Sequence, residues 1–265
     1  MRLGAERGYV VHVTNIDIGY GAEFDLTQEM NVARLCHLAQ ARADGGHAGP
    51  SSATWSRARF RPGGPPPLRL RTCLWGKAGL PAKDQARVDL GNAMVMASMR
   101  ILEAVVQNGG SATIEHPADP GKYPYPSIFA TPELQAWEAR VGASRATFPL
   151  CSWGCPARKD TTVTGKAVQL ERFVRPCRHQ RHEASLAGVD ENGHYRSRVA
   201  QAYPSEFCQM LATVHLDFMI RAKERPEVPL REEFVETLVD EALRRRRAQV
   251  RHVDELPATF LSADG

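Results

Sequence analysis

No run of the sequence approaches the roughly 20 consecutive apolar residues that a membrane-spanning helix requires, so no membrane partner is expected. Cysteine is scarce, at six in 265 residues. That excludes a disulfide-built scaffold and reads as reduced thiols in a nuclear or cytoplasmic protein. The stretch from Met1 to Val13 carries Arg2, Glu6 and Arg7 and lacks the long apolar block and cleavage site of a secretory signal. The chain is therefore expected not to be secreted. No segment recurs at a fixed period, which excludes a solenoid or a propeller. Neither sign of charge dominates. The net charge of +4 permits contact with nucleic acid without demanding it.

What is present is an ordinary globular composition, 43% hydrophobic and 24% charged, in a chain long enough to bury a sizeable core. Tyr9 to Asp17 (YVVHVTNID) is a short apolar run ending in an acid and predicts a buried strand. Helical spacing covers Leu26 to Ala43 and, most strongly, Lys83 to Asn108, where Gly109-Gly110 supplies the stop. Ser111 to Ile114 predicts a strand, Thr131 to Val141 a helix with Pro132 in its first turn, Ala146 to Cys151 a strand, and Phe207 to Ala222 a helix. Arg231 to Val250 predicts a charged helix. Ala48 to Pro67 is rich in Gly, Pro and Ser and reads as a long loop. The alternation of strands and helices predicts an α/β fold with a mainly parallel sheet over residues 1–222, followed by a charged helical C-terminal extension over 223–265.

Several strands end in an acid or a small polar residue and then a loop. Ligands of open α/β sheets bind at such carboxyl ends. Asp17, Asp25, the Gly49–Ser56 loop and Glu115 are thereby expected to share one crevice. Gly49-Pro50-Ser51-Ser52 precedes Thr54-Trp55-Ser56-Arg57-Ala58-Arg59 and Gly63-Gly64-Pro65-Pro66-Pro67. Thr113-Ile114-Glu115-His116-Pro117 follows, then Ser152-Trp153-Gly154-Cys155-Pro156-Ala157-Arg158-Lys159, and finally Tyr203-Pro204-Ser205-Glu206-Phe207-Cys208.

In order and rough spacing these segments resemble the cytosine carbon-5 DNA methyltransferases, most closely the methyltransferase-like chains of eukaryotic mobile elements. The resemblance runs to about residue 220. It implies a Rossmann-like methyltransferase core, S-adenosylmethionine as cofactor and DNA as partner. It places Ser52 where the family carries its cysteine nucleophile, Glu115 at ring nitrogen 3 of the base, and Arg158 where the base is oriented. Asp17, Asp25 and Pro50 take the cofactor positions. Only eight residues precede Tyr9, so the family's first strand and Phe-x-Gly-x-Gly loop have no counterpart, and a truncated start is expected.

The chemistry explains why a serine matters. A thiolate adds to carbon 6 and makes carbon 5 nucleophilic, with a carboxyl group assisting at nitrogen 3 of a base flipped out of the helix. A serine hydroxyl is a weak nucleophile without an adjacent base. His47 and His116 are the candidates for that base. The expected function is that of a methyltransferase-like protein of weak or absent activity. The alternatives are a non-enzymatic nucleic-acid binding module and a degenerate mobile-element remnant. For such a module the arginines Arg57, Arg59, Arg61, Arg69 and Arg71, interleaved with Trp55 and Phe60, would form the contact surface. Arg244 to Arg247 read as an exposed helix face.

Cys177-x-His179-x-x-His182 offers zinc ligand types, and Cys151-x-x-x-Cys155 could complete a tetrahedron. The spacing is not that of a standard finger. No metal is assigned at this level, and buried thiols beside surface imidazoles are the expected arrangement.

Overall fold

The computed structural model describes residues 5–186, 188, 191, 194 and 196–222. The predicted helix Arg231–Val250, the Arg244–Arg247 block and the C-terminal extension lie outside the described residues. The chain divides into two compact units. One comprises Met1–Val13 with Leu26–Arg225, the other Thr14–Asp25 with Pro226–Gly265.

The larger unit is α/β. Helix α1 (Glu29–Arg42) buries Val32, Leu35 and Ala39 along one stripe and packs on α2 (Ala82–Gln107). Strand β1 (Gly45–Ala48) pairs in parallel with β2 (Ser111–Pro117), and α2 is the crossover between them. Helix α3 (Pro132–Val141) is delimited by its sequence. The Thr131 hydroxyl accepts the Leu134 N–H, Pro132 occupies the first turn, and Gly142 closes the helix at φ 65°, a left-handed conformation that glycine adopts freely. Strands β3 (Ser144–Pro149) and β4 (Asp160–Lys166) follow. Helix α4 (Ser205–Arg221) lies against β1 and β2. No described helix is long and apolar enough to cross a membrane.

The four strands run in the order β1-β2-β4-β3, and β4 is antiparallel to both of its neighbours. The sheet is thus mixed and mostly antiparallel, which corrects the expected mainly parallel sheet. The cause is the connection between β3 and β4. It contains only a short 3-10 turn, Leu150–Trp153, and a return without a full crossover brings the chain back antiparallel.

Alternation along β2 sets the two faces of the sheet. Ala112 and Ile114 join a core with Trp55, Val95, Leu102, Leu134 and Trp137, on the side of α2 and α3. The other face carries Ser111, Thr113 and Glu115. There β3 and β4 contribute Phe148 and Val163 to a second core, closed by Trp153, Phe173, Phe207 and Val214. The polar positions of β2 therefore sit beneath α4, alongside an apolar core.

Tyr9–Asp17 is not a strand. Val10 and Val13 are 85% and 65% exposed, so the apolar run finds no sheet to bury it. Asp17 and Asp25 fall in the smaller unit, whose described part, Thr14–Asp25, holds two 3-10 turns. Asp17 caps the first, accepting the Gly19 N–H at 2.7 Å. Asp25 closes the second, its N–H donating to the Ala22 carbonyl.

Candidate functional site

Glu115 is 4% exposed and organises the polar face of the sheet. Its Oε1 receives Lys159 Nζ at 3.2 Å and its Oε2 receives the Tyr203 hydroxyl at 2.7 Å. Burial and the facing carboxylate push the Tyr203 hydroxyl well above the usual phenol range, so it stays a proton donor. Gly49 borders the same spot. A Cβ there would lie 2.2 Å from Tyr203 Oη and 3.8 Å from Glu115 Oε2. The absent side chain is what lets the tyrosine reach the carboxylate. Pro50 follows, buried.

Behind Tyr203 runs a chain of partly buried hydrogen bonds. His47 Nε2 lies 3.4 Å from Tyr203 Oη, and His47 Nδ1 lies 2.9 Å from Thr113 Oγ1. Thr113 Oγ1 meets His215 Nε2 at 2.9 Å, and His215 Nδ1 meets Ser111 Oγ at 2.6 Å. Because Tyr203 donates to a carboxylate, one direction satisfies every member: both imidazoles are neutral and protonated on Nε2. Desolvation acts the same way. Burial, reinforced by His215, lowers His47 to about 3, and burial lowers His215 to about 4.

The predicted residues are only partly brought together. Pro50 and Glu115 lie in this neighbourhood. Arg158 does not pair with Glu115: its side chain is 61% exposed and pairs with Asp160 at 3.2 Å, while the next residue, Lys159, turns inward. Ser52 is half-buried in the loop after Pro50, and its carbonyl accepts the Trp55 N–H at 2.9 Å. His116 points to the opposite face from Glu115, buried edge-on against Trp55 and Phe129, with desolvation lowering it to about 3. Thr113 and Lys159 lie within segments the sequence singles out but carry no assigned role there, and His215 lies in none of them. Tyr203 was visible as part of its Tyr-Pro segment, but its partner was not.

The arginine cluster separates. Arg69 is fully buried, stacked over Trp55 at 4.0 Å, and donates to Thr54, Leu74, Val88 and Asn92. Arg71 pairs with Asp119 at 2.7 Å. Arg59 ties the loop to the carbonyls of Ala53 and Pro66. Arg57 and Arg61 are exposed.

A second cluster lies at the Leu150–Trp153 turn. Cys151, Cys177, His179 and His182 bring their potential ligand atoms within 4.8 Å of one another. Cys155 is not among them and packs in the apolar core instead. Hydrogen bonding by the His179 side chain lowers the Cys177 thiol to about 6.

Comparison with known proteins returns no matching family model, no matching curated protein and no matching solved structure.

Proposed function

We propose that the chain is a DNA cytosine-5 methyltransferase-like protein that keeps the base-recognition side of such a site and has weak or absent methyl-transfer activity. One observation carries this reading. Four sequence segments that resemble that family converge on one carboxylate: Gly49-Pro50 and Tyr203 border Glu115, and Lys159 pairs with it. A carboxylate oxygen has two acceptor positions. Lys159 and Tyr203 take one on each oxygen and leave capacity to accept the exocyclic amine of a cytosine, the pairing expected of a glutamate with this base. The parallel β1-α2-β2 unit, with its loop at the carboxyl end of β1, is compatible with part of a Rossmann-like sheet.

The donor side fits less well. In the family two strand-end acids would hold S-adenosylmethionine. Here Asp17 and Asp25 stand in 3-10 turns of the smaller unit, and neither follows a strand. The Ser52 hydroxyl lacks the ionisation that makes a thiol reactive near neutral pH.

The test is fluorescence anisotropy with a DNA duplex that carries a readily flipped cytosine opposite an abasic site, against the same duplex with thymine. The expected result is a preference for cytosine of about tenfold, in line with roughly 1–3 kcal/mol per well-made base contact, and its loss in Glu115→Gln. Equal affinity for both duplexes, or none, overturns the reading. Calorimetry with S-adenosylhomocysteine reads the donor side separately. Micromolar binding would justify assaying methyl transfer by Ser52→Cys. No binding at millimolar ligand, with the cytosine preference intact, would leave a non-enzymatic DNA-binding protein.

A further inference from the structure

We infer that Cys151, Cys177, His179 and His182 form a structural zinc site that staples the segment after Phe173 to the turn between β3 and β4. This stands independently of the proposed function. The spacing of the ligand atoms is the first ground. Cys177 Sγ lies 3.5 Å from His179 Nδ1 and 3.3 Å from His182 Nε2, and His182 Nε2 lies 3.3 Å from Cys151 Sγ. With Zn–S near 2.3 Å and Zn–N near 2.0–2.1 Å, a tetrahedron separates sulfur from nitrogen by roughly 3.5 Å. These three sulfur–nitrogen edges match that separation, and all four ligand atoms lie within 4.8 Å of one another.

Ligand chemistry is the second ground. Two thiols and two imidazoles, with no carboxylate, suit zinc and disfavour magnesium or calcium, which take oxygen ligands. Four protein ligands close the coordination shell, as structural rather than catalytic zinc requires. Two thiolates and two neutral imidazoles also balance the charge of the ion. A disulfide between Cys151 and Cys177 would leave the convergence of both imidazoles without a purpose.

The third ground is what the chain lacks locally. Residues 174–186 contain no helix or strand. The Ala184 N–H donates to the Pro156 carbonyl, Arg175 lies over the Trp153 ring at 3.6 Å, and Ala184 and Leu186 are partly buried against the second core. A segment without helix or strand gains order from a metal that binds only the folded state. Cys151 is the buried anchor, 3% exposed. The turn that carries it receives the backbone of Lys159, whose carbonyl accepts the Leu150 N–H at 2.7 Å. The ion would thus also hold Lys159 in register with Glu115. An open cleft lined by Cys151, Arg175, Arg178 and His179 borders the cluster and supplies a route of entry for a metal ion.

The test is elemental analysis of the full chain, expressed with added zinc and dialysed without chelator. One zinc ion per chain is expected, lost in His182→Ala and in Cys177→Ser and retained in Cys208→Ser. Titration of Co2+ into the chelator-treated, unsubstituted chain needs no variant to fold. It should give the intense visible bands of tetrahedral cobalt with thiolate ligands, and zinc should abolish them. Substoichiometric metal together with no tetrahedral cobalt spectrum overturns the site. So does a Cys151–Cys177 disulfide found by mass spectrometry in the protein purified under reducing conditions.

Discussion

The Tyr203 hydroxyl donates to Glu115 at 2.7 Å across 88 residues of chain, and Gly49 is the position that makes room for it. A methyl group on Gly49 would sit 2.2 Å from that hydroxyl oxygen but 3.3 Å from the ring carbon bearing it. The cost of Gly49→Ala therefore depends on the hydroxyl. Gly49→Ala is expected to destabilise the chain by about 2 kcal/mol, the scale of overpacking, and much less in the Tyr203→Phe background. Urea denaturation of the two single variants and the double variant gives the coupling. Additive effects would mean that the hydroxyl does not occupy the Gly49 notch.

Three desolvated histidines, His116 buried and His47 and His215 half-buried, make stability depend on acid. His47 and His116 are lowered to about 3 and His215 to about 4, in each case mainly by desolvation, against an ordinary value of 6.5. The folded values are depressed, so between these values and 6.5 the unfolded chain binds more protons than the folded one. Stability is complete above about pH 6.5 and falls as pH drops through that window, at roughly 1.4 kcal/mol per pH unit for each histidine. Denaturant midpoints measured from pH 7 to pH 4.5 should decline steeply, and His215→Asn should remove about one proton from the slope. A flat profile would mean that the imidazoles are not held neutral.

The five arginines of the Arg57–Arg71 stretch should divide by role. Arg69 is buried without a carboxylate, held by a stack on Trp55 and by four acceptors. Arg69→Met strands those acceptors and should cost about 3 kcal/mol or more. Arg69→Lys should not rescue it, because a point charge reproduces neither the fork nor the stack. Arg57→Ala and Arg61→Ala should leave the denaturation midpoint unchanged. If this loop contacts DNA, each should reduce the salt dependence of binding by about one unit of slope. An Arg69→Met chain of wild-type stability would contradict its placement.

The elements that could be read from the sequence are those whose side chains carry a period. The apolar stripe of α2 with its Gly109-Gly110 stop, and Pro132 in the first turn of α3, gave both helices nearly to their bounds. Strand β1 is Gly-Gly-His-Ala, with no side-chain pattern of its own. It exists through its parallel pairing with Ser111–Ile114, a long-range fact. Strand β4 is threonine-rich and buried on both faces, so no alternation announces it. The opposite error came at Val10 and Val13, apolar residues that remain exposed. For the site, Gly49, Pro50 and Glu115 were legible from their motifs. His215 was not, because nothing in α4 reveals that this one position faces Ser111 and Thr113. The zinc ligands were legible as residue types, but only folding selects Cys151 over Cys155.

The motif placed Arg158 at the base, whereas the fold turns Lys159 inward, and the two make opposite predictions. Lys159 Nζ lies 3.2 Å from Glu115 Oε1, with side chains 17% and 6% exposed. Removing one partner of such a pair leaves an uncompensated buried charge, a loss of roughly 3–5 kcal/mol. Lys159→Met should therefore lower stability strongly. Adding Glu115→Gln should recover much of the loss, because the stranded charge is gone. Arg158, exposed and paired only with Asp160, should be replaceable by alanine with no change in the denaturation midpoint. If Arg158→Ala abolished the cytosine preference while Lys159→Met left both stability and binding intact, the motif would have been the better guide. The expected reverse would assign the cation beside the carboxylate to Lys159.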